Sequence, residues 1–174
     1  AAGNIVAIGG IATDITEREE AAAANARLAA IVESSQDAIF TRSPDGIIQS
    51  WNAGAECLYG YTAAEAIGRP ISLLVPPDRG HERADNWRRL SQGQPVPPYE
   101  TVRITKDGRR INVSVSLSPV RDRAGNVTGI AAITHDITER KRAEEARAKL
   151  AAIVENANEV IISRALDGTI LSWN

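Results

Sequence analysis

Apolar and polar residues alternate strictly over one stretch of the chain, residues 111–118. Asparagine and serine occupy the even positions, and apolar residues occupy the odd ones: Ile111, Val113, Val115 and Leu117. A period of two predicts a strand with one apolar and one polar face, as in an antiparallel sheet covered on one side. Shorter runs predict four further strands around turn-forming residues at 44–46, 106–108 and 123–126, where Asp45-Gly46 is a hairpin signal.

Helices are predicted between these strands. Residues 52–74 are rich in alanine and glutamate, and glycines and a proline break them into short helices. Residues 77–91 predict a longer helix, on which we expect an apolar face formed by Ala84, Trp87 and Leu90. The mixture indicates the α+β class.

The chain contains an internal repeat with a period of 122 residues. Residues 3–52 and 125–174 align without a gap, with 26 identities in 50 pairs. A period above 100 exceeds the roughly 20–50 residues of solenoid repeats, so we expect whole domains in tandem and a piece of a longer protein. The expected parts are residues 1–13 as the last strand of a preceding domain, 14–35 as a linker helix, 36–136 as a complete domain, 137–157 as a second linker helix, and 158–174 as the first two strands of a following domain.

Both linker helices begin with a predicted capping box, Asp14 with Glu17 and Asp136 with Glu139. Small and apolar residues then recur at the three–four spacing of a coiled-coil seam. The seam residues are Ala21, Ala24, Leu28, Ile31, Ala143, Ala146, Leu150 and Ile153. This pattern predicts a homodimer through the linker helices. Alanines bury little apolar area, so we expect the adjoining domain to contribute to the dimer.

Composition narrows the function classes. The net charge of −2 shows no basic surplus, so we expect no nucleic-acid partner. The single cysteine, Cys57, excludes an internal disulfide and the cysteine-pair zinc motifs. No apolar run reaches the ~18 residues of a membrane span, and no secretory signal precedes residue 20. The expected location is the cytoplasm, with membrane attachment of a longer parent protein left open.

Four segments carry a family resemblance: SPDGIIQSWN (43–52), LYGYTAAEAIGRP (58–70), YETVRITKDGRRINVSVSLSPVRD (99–122) and GNVTGIAAITHDITERK (125–141). In order and spacing they resemble a PAS domain of the S-box type with its C-terminal PAC part, from a bacterial sensor protein with several such domains. The resemblance implies a PAS fold, which is a five-stranded antiparallel sheet with short helices on one face, here flanked by helical coiled-coil linkers. A ligand would lie between sheet and helices.

The resemblance suggests two sets of site residues. The candidate ligand pocket consists of Phe40, Trp51, Leu58, Tyr61, Leu74, Trp87, Val102, Val113, Val115 and Ile133. The candidate signal junction, where a cap sets the angle between sheet and linker helix, consists of Asp14, Thr16, Asp136 and Thr138. The aromatic members of the first set serve equally as core residues.

Some PAS domains bind haem or flavin, and the sequence offers little for either. His81 is the alternative haem ligand, because it lies in the helical crossover. His135 aligns with Thr13 in the repeat, which favours a structural role. Cys57 precedes the Gly68-Arg69 motif after which light-sensing relatives carry their reactive cysteine. We therefore expect no cofactor and no metal, and we interpret Cys57 as a small buried side chain.

The sequence contains no catalytic constellation, so we expect no enzymatic activity in this part of the protein. The favoured function is a sensory and dimerisation module that relays a signal through its linker helices to a downstream output domain. The resemblance implies that this output is a histidine kinase or a cyclic-dinucleotide enzyme. The alternatives are a ligand-free spacer that sets dimer geometry and a haem-based gas sensor using His81.

Overall fold

A five-stranded antiparallel sheet forms the centre of the domain. The computed structural model describes residues 16–155 and 162–173. The strands of the sheet are β1 (Ala38–Arg42), β2 (Ile48–Trp51), β3 (Tyr99–Ile104), β4 (Arg110–Arg121) and β5 (Val127–Asp136). Their order is β2-β1-β5-β4-β3, with antiparallel neighbours throughout. The predicted α+β class and five-stranded sheet are confirmed.

Short helices cover the inner face of this sheet. They are α2 (Ala53–Tyr59), α3 (Ala63–Ala66), two 3-10 turns at Ile71–Leu74 and Pro77–Arg79, and α4 (His81–Ser91). The helix α2 ends at Gly60, whose φ of 78° lies in the left-handed region that favours glycine. The single helix predicted over residues 77–91 is thus a 3-10 turn followed by α4.

The core lies between these helices and the sheet. Ile111, Val113 and Val115 of β4 are buried, as their alternation predicts. Phe40, Trp51 and Tyr59 form an aromatic cluster with ring centroids 5.3 to 6.3 Å apart. Burial raises the pKa of Tyr59 to about 12, so its phenol stays protonated at neutral pH.

The face of α4 that packs on the sheet differs from the prediction. Ala84 is exposed and Trp87 only half-buried, so Leu90 alone of the expected trio is buried. The inner stripe is instead formed by Glu82, Asn86 and Leu90 at a spacing of four residues. The apolar pattern failed here because two polar side chains of this stripe find hydrogen-bond partners on β3.

Asn52 joins three elements at the start of the domain. Its Oδ1 accepts hydrogen bonds from the backbone amides of Ile39 (2.8 Å) and Ala55 (2.9 Å). Its Nδ2 donates to the carbonyl oxygens of Val32 (2.8 Å) and Asp37 (3.1 Å). This buried amide therefore attaches the preceding helix to the sheet and caps α2.

Linker helices lie on both sides of the domain in sequence. They are α1 (Thr16–Glu33) and α5 (Thr138–Glu155), whose bounds differ by the repeat period of 122 residues. Asp14 and the strand predicted in residues 1–13 lie outside the described residues. None of the helices in the two described ranges has the length and apolarity needed to cross a membrane.

A separate hairpin follows α5. Its strands are β6 (Ile162–Arg164) and β7 (Ile170–Trp173), and Ile162 pairs with Trp173. The equivalent pair 122 residues earlier, Phe40 with Trp51, has the same register, and both hairpins carry a register shift before their arginine. The sequence repeat is therefore also a repeat of backbone structure.

Candidate functional site

A small cavity lies between the inner face of the sheet and α4. Its volume is about 50 Å³, which is room for a few water-sized groups. The apolar walls come from the sheet and the first 3-10 turn: Phe40, Ile71, Leu74, Val115, Leu117 and Ala132. The polar wall consists of five side chains: Arg42, Glu82, Asn86, Tyr99 and Arg103.

A buried ion pair joins α4 to β3 at this polar wall. Arg103 Nη2 lies 2.8 Å from Glu82 Oε2, and the two side chains are only 10% and 13% exposed. The Thr101 hydroxyl donates a 2.6 Å hydrogen bond to Glu82 Oε1, and Arg103 Nη1 donates to the carbonyl of Val102 at 2.9 Å. Both charges are therefore paired and hydrogen-bonded, as burial requires.

A second contact joins the same two elements. Asn86 Nδ2 lies 2.8 Å from the Tyr99 hydroxyl oxygen, which accepts its hydrogen bond. Burial raises the pKa of Tyr99 above its ordinary value, so the phenol keeps its proton at neutral pH. The position of α4 on the sheet thus depends on polar contacts to β3.

Three of the ten predicted pocket residues line this cavity: Phe40, Leu74 and Val115. Trp51 and Val113 are buried in the core, outside the cavity lining. Leu58, Tyr61 and Trp87 are half-buried at its periphery.

Val102 and Ile133 do not belong to the cavity. Val102 pairs with Asn112 and Ile133 with Ser116, so both project from the outer face of the sheet, and Ile133 is 46% exposed. The prediction took every apolar strand residue as inward. In β3 and β5 it is the neighbours of these two residues that point inward, and those neighbours include polar side chains.

Sequence reasoning missed the charged members of the site. Arg42, Glu82 and Arg103 were taken for solvated residues, because buried charges are rare. A signal was present in β3, since Thr101 and Arg103 are aligned with Val113 and Ile111 of β4. The register that reveals it belongs to the folded sheet.

The signal junction lies where β5 continues into α5. Asp136 Oδ1 accepts a 2.8 Å hydrogen bond from the Thr138 amide. The Thr138 hydroxyl accepts a 3.0 Å bond from the Asn112 amide of β4, and the Ile137 amide donates to the Asn112 carbonyl at 2.9 Å. Of the other residues expected at junctions, Thr16 is the first residue of α1 and is exposed.

Two ion pairs fix the first turn of α5 to β3. Glu100 Oε2 lies 2.6 Å from Lys141 Nζ, and its Oε1 contacts the Arg140 guanidinium. Hydrogen bonds from Lys141 and Arg140 lower the pKa of Glu100 below its ordinary value. The strand β3 therefore contacts α4 through its inner face and α5 through its outer face.

Haem and flavin do not fit the part of the cavity that the structure describes. A pocket for a ligand of drug size or larger takes roughly 300–1,000 Å³, several times the volume present. Among the described lining side chains there is neither histidine nor cysteine. The side chain of His81 lies outside the described residues, and His135 is exposed and 2.7 Å from Asp37.

Cys57 is exposed, which corrects the expectation of a buried side chain. The packing argument failed because α2 buries its other residues, among them Ala55 and Tyr59. Across residues 16–155 and 162–173, no cluster of three or more histidine, cysteine, aspartate or glutamate side chains is arranged to hold a metal ion.

Comparison with known proteins agrees with this geometry. The family model described as PAS domain matches residues 36–139. The chain is 36% identical over 116 residues to Two-component system protein A of Emericella nidulans, which covers 66% of this chain and 17% of that protein. It is 35% identical over 83 residues to Sensor protein FixL of Bradyrhizobium diazoefficiens, which covers 45% of this chain and 16% of that protein.

A solved structure shares the fold. The crystal structure of the PAS domain of a protein from Colwellia psychrerythraea is 28% identical and superposes with a TM-score of 0.62, covering 67% of this chain and 98% of that one. The chain thus spans about a sixth of each curated relative and nearly all of an isolated PAS domain. From the match of residues 36–139 and the shared fold, we conclude that the chain belongs to the PAS domain family and carries a sensory domain of the kind found in signalling proteins.

Proposed function

We propose that this PAS domain is a sensory and dimerisation module that relays a change at its cavity through α5 to a downstream output domain. The observation that carries the proposal is the double attachment of β3. Thr101 and Arg103 of this strand bind Glu82 of α4, and Glu100 between the flanking positions binds Lys141 of α5. A shift of α4 against the sheet therefore changes the strand that holds the first turn of α5.

The strand β4 provides a parallel connection. Its inner residues Val115 and Leu117 line the cavity, and its backbone at Asn112 bonds to Ile137 and Thr138. A hydrogen-bonded cap is worth about 0.5–2 kcal/mol, which is comparable with the few kcal/mol that separate the states of a switch. The junction is thus weak enough for the cavity to bias it.

Dimerisation through the linker helices is the second part of the proposal. Leu28 and Leu150 are 62% and 64% exposed, and Ile31 is likewise exposed, although all three are large apolar side chains. The seam alanines at 21, 24, 143 and 146 are exposed too, and the side chain of Ile153 lies outside the described residues. A second copy of the chain would cover this stripe on each helix.

The output domain is proposed from the relatives. One relative carries the name Two-component system protein A and another Sensor protein FixL. A histidine kinase of a two-component system is the output that we favour.

A ligand-free spacer is the second candidate function. The small volume of the cavity favours it, because a domain that only sets dimer geometry needs no room for a ligand. In a spacer, the contacts between α4 and β3 would stabilise the fold without affecting α5.

Spin-label distances discriminate the two functions. In a Cys57→Ser background, labels at Ser118→Cys on β4 and Lys149→Cys on α5 report the angle of the helix, with unlabelled protein added so that only distances within one chain are measured. A relay predicts that Glu82→Gln shifts this distance distribution, whereas Asp85→Asn on the same helix leaves it unchanged. A spacer predicts superimposable distributions for both variants.

A further inference from the structure

The charges around the cavity are unbalanced. The described lining contains two guanidinium groups, on Arg42 and Arg103, and one carboxylate, on Glu82. Arg42 is 5% exposed, and a third guanidinium approaches from outside the lining, with Arg79 Nη1 3.8 Å from Glu82 Oε1. Arginine keeps its charge at any ordinary pH, so this positive excess persists where a lysine would lose its proton.

Neutral hydrogen-bonding groups complete the polar wall. Asn86 and the protonated phenol of Tyr99 lie on the same side of the cavity as the arginines. Phe40 and Leu117 face them from the apolar side. The cavity therefore has one cationic, donor-rich end and one apolar end within about 50 Å³.

We propose that the cavity binds a small monocarboxylate anion, of the size of formate or acetate. The carboxylate accepts hydrogen bonds from the arginine end, since planar guanidinium groups match carboxylate oxygens, and a methyl group packs against the apolar end. The inference rests on the proposed sensory function, for which it names the class of ligand. A bound carboxylate competes with Glu82 for Arg103, and this competition loosens the contact between α4 and β3.

Size and charge favour a monocarboxylate over a phosphate. A phosphate is bulkier, carries up to two negative charges and has no apolar end to place against Phe40. The excess of one positive charge in the described lining matches a single negative charge.

The experiment compares sodium acetate with acetamide, its neutral isostere, on the whole chain at constant ionic strength. Calorimetric titration and the thermal midpoint are both followed, because a ligand that binds only the folded state raises that midpoint. We expect acetate to bind and to raise the midpoint, acetamide to do neither, and Arg42→Gln to weaken acetate binding at least tenfold. Arg42→Lys, which keeps the charge and loses the planar fork, is expected to retain part of the binding.

Several results would overturn the inference: no binding of acetate to the wild-type chain, equal binding of acetamide, or unchanged acetate affinity in Arg42→Gln. The first two need no variant, so a folding defect cannot obscure them. Acetate binding together with an unchanged label distance in Glu82→Gln leaves the carboxylate site standing and refutes the relay. A shifted distance without acetate binding does the reverse.

Discussion

The hydroxyl of Thr138, at the start of α5, accepts a 3.0 Å hydrogen bond from the backbone amide of Asn112 in β4. The Ile137 amide donates to the carbonyl of the same Asn112 at 2.9 Å. The helix thus begins as a continuation of the β4–β5 ladder, with a side chain in place of the next backbone carbonyl. The direction in which α5 leaves the sheet therefore depends on one buried hydroxyl group.

Replacing Thr138 by valine is expected to destabilise the domain. The substitution keeps the shape of the side chain but leaves the Asn112 amide without its acceptor in a partly buried position. An unsatisfied group of this kind costs about 1–3 kcal/mol. Urea unfolding measures this loss, with Thr128→Val as the matched control, because the Thr128 hydroxyl makes only an exposed 3.3 Å bond to the Val120 carbonyl. Equal free energies of unfolding for the two variants would refute the role given to Thr138.

Glu82→Gln is expected to cost about 3–5 kcal/mol of stability, because it leaves the buried Arg103 charge without its carboxylate partner. Asp85→Asn breaks an ion pair with Arg88 on the same helix, but those two side chains are exposed. An exposed pair is worth about 0–1 kcal/mol. Chemical denaturation of both variants tests the difference, and a loss below about 1 kcal/mol for Glu82→Gln would show that the buried pair contributes little.

The alternating pattern predicted the sheet well, because it depends on local sequence alone. Ile111, Val113 and Val115 lie on the inner face as expected, and the repeat predicted the positions of both linker helices. The cavity was predicted less well. Its charged wall arises from a contact between Glu82 and Arg103, which lie 21 residues apart on different elements.

No local pattern encodes such a contact. Arg103 becomes an inward residue only once β3 pairs with β4 in a register that sets it opposite Ile111. Val102 and Ile133 were misplaced for the same reason, since an apolar residue in a short strand fits either face until its neighbours are known.

Asp107 gives the stability a dependence on acid pH. Hydrogen bonds from the Thr105 hydroxyl and the Arg109 guanidinium lower the pKa of its carboxyl to about 2. The unfolded chain has a carboxyl pKa of about 4, so this group stabilises the fold above pH 4, and its contribution is lost as the pH falls from about 4 to 2. Asp107→Asn is therefore expected to lose less stability than the wild type across that interval, as measured by urea unfolding at each pH. Parallel curves for the two proteins would contradict the assignment.

The dimer is tested by sedimentation. Leu28→Asp and Leu150→Asp place a charge on the exposed seam without disturbing a buried side chain, so each is expected to shift the protein from dimer towards monomer. Ala23→Asp, at an exposed position outside the seam of the same helix, is the control and is expected to sediment like the wild type. A wild-type chain that is already monomeric, or seam variants that stay dimeric, would contradict the seam.

Hydrogen exchange at the first turn of α5 tests the coupling of cavity and helix most directly. The amides of Ile137, Thr138 and Lys141 form the bonds that hold this turn. Amides at a helix end exchange through local opening, so a general loss of stability alone does not accelerate them. The account predicts that Glu82→Gln accelerates exchange at these three amides, while Asp85→Asn does not and the β6–β7 hairpin keeps its wild-type rates. Wild-type rates at all three amides in Glu82→Gln, alongside faster exchange in β3, would contradict it.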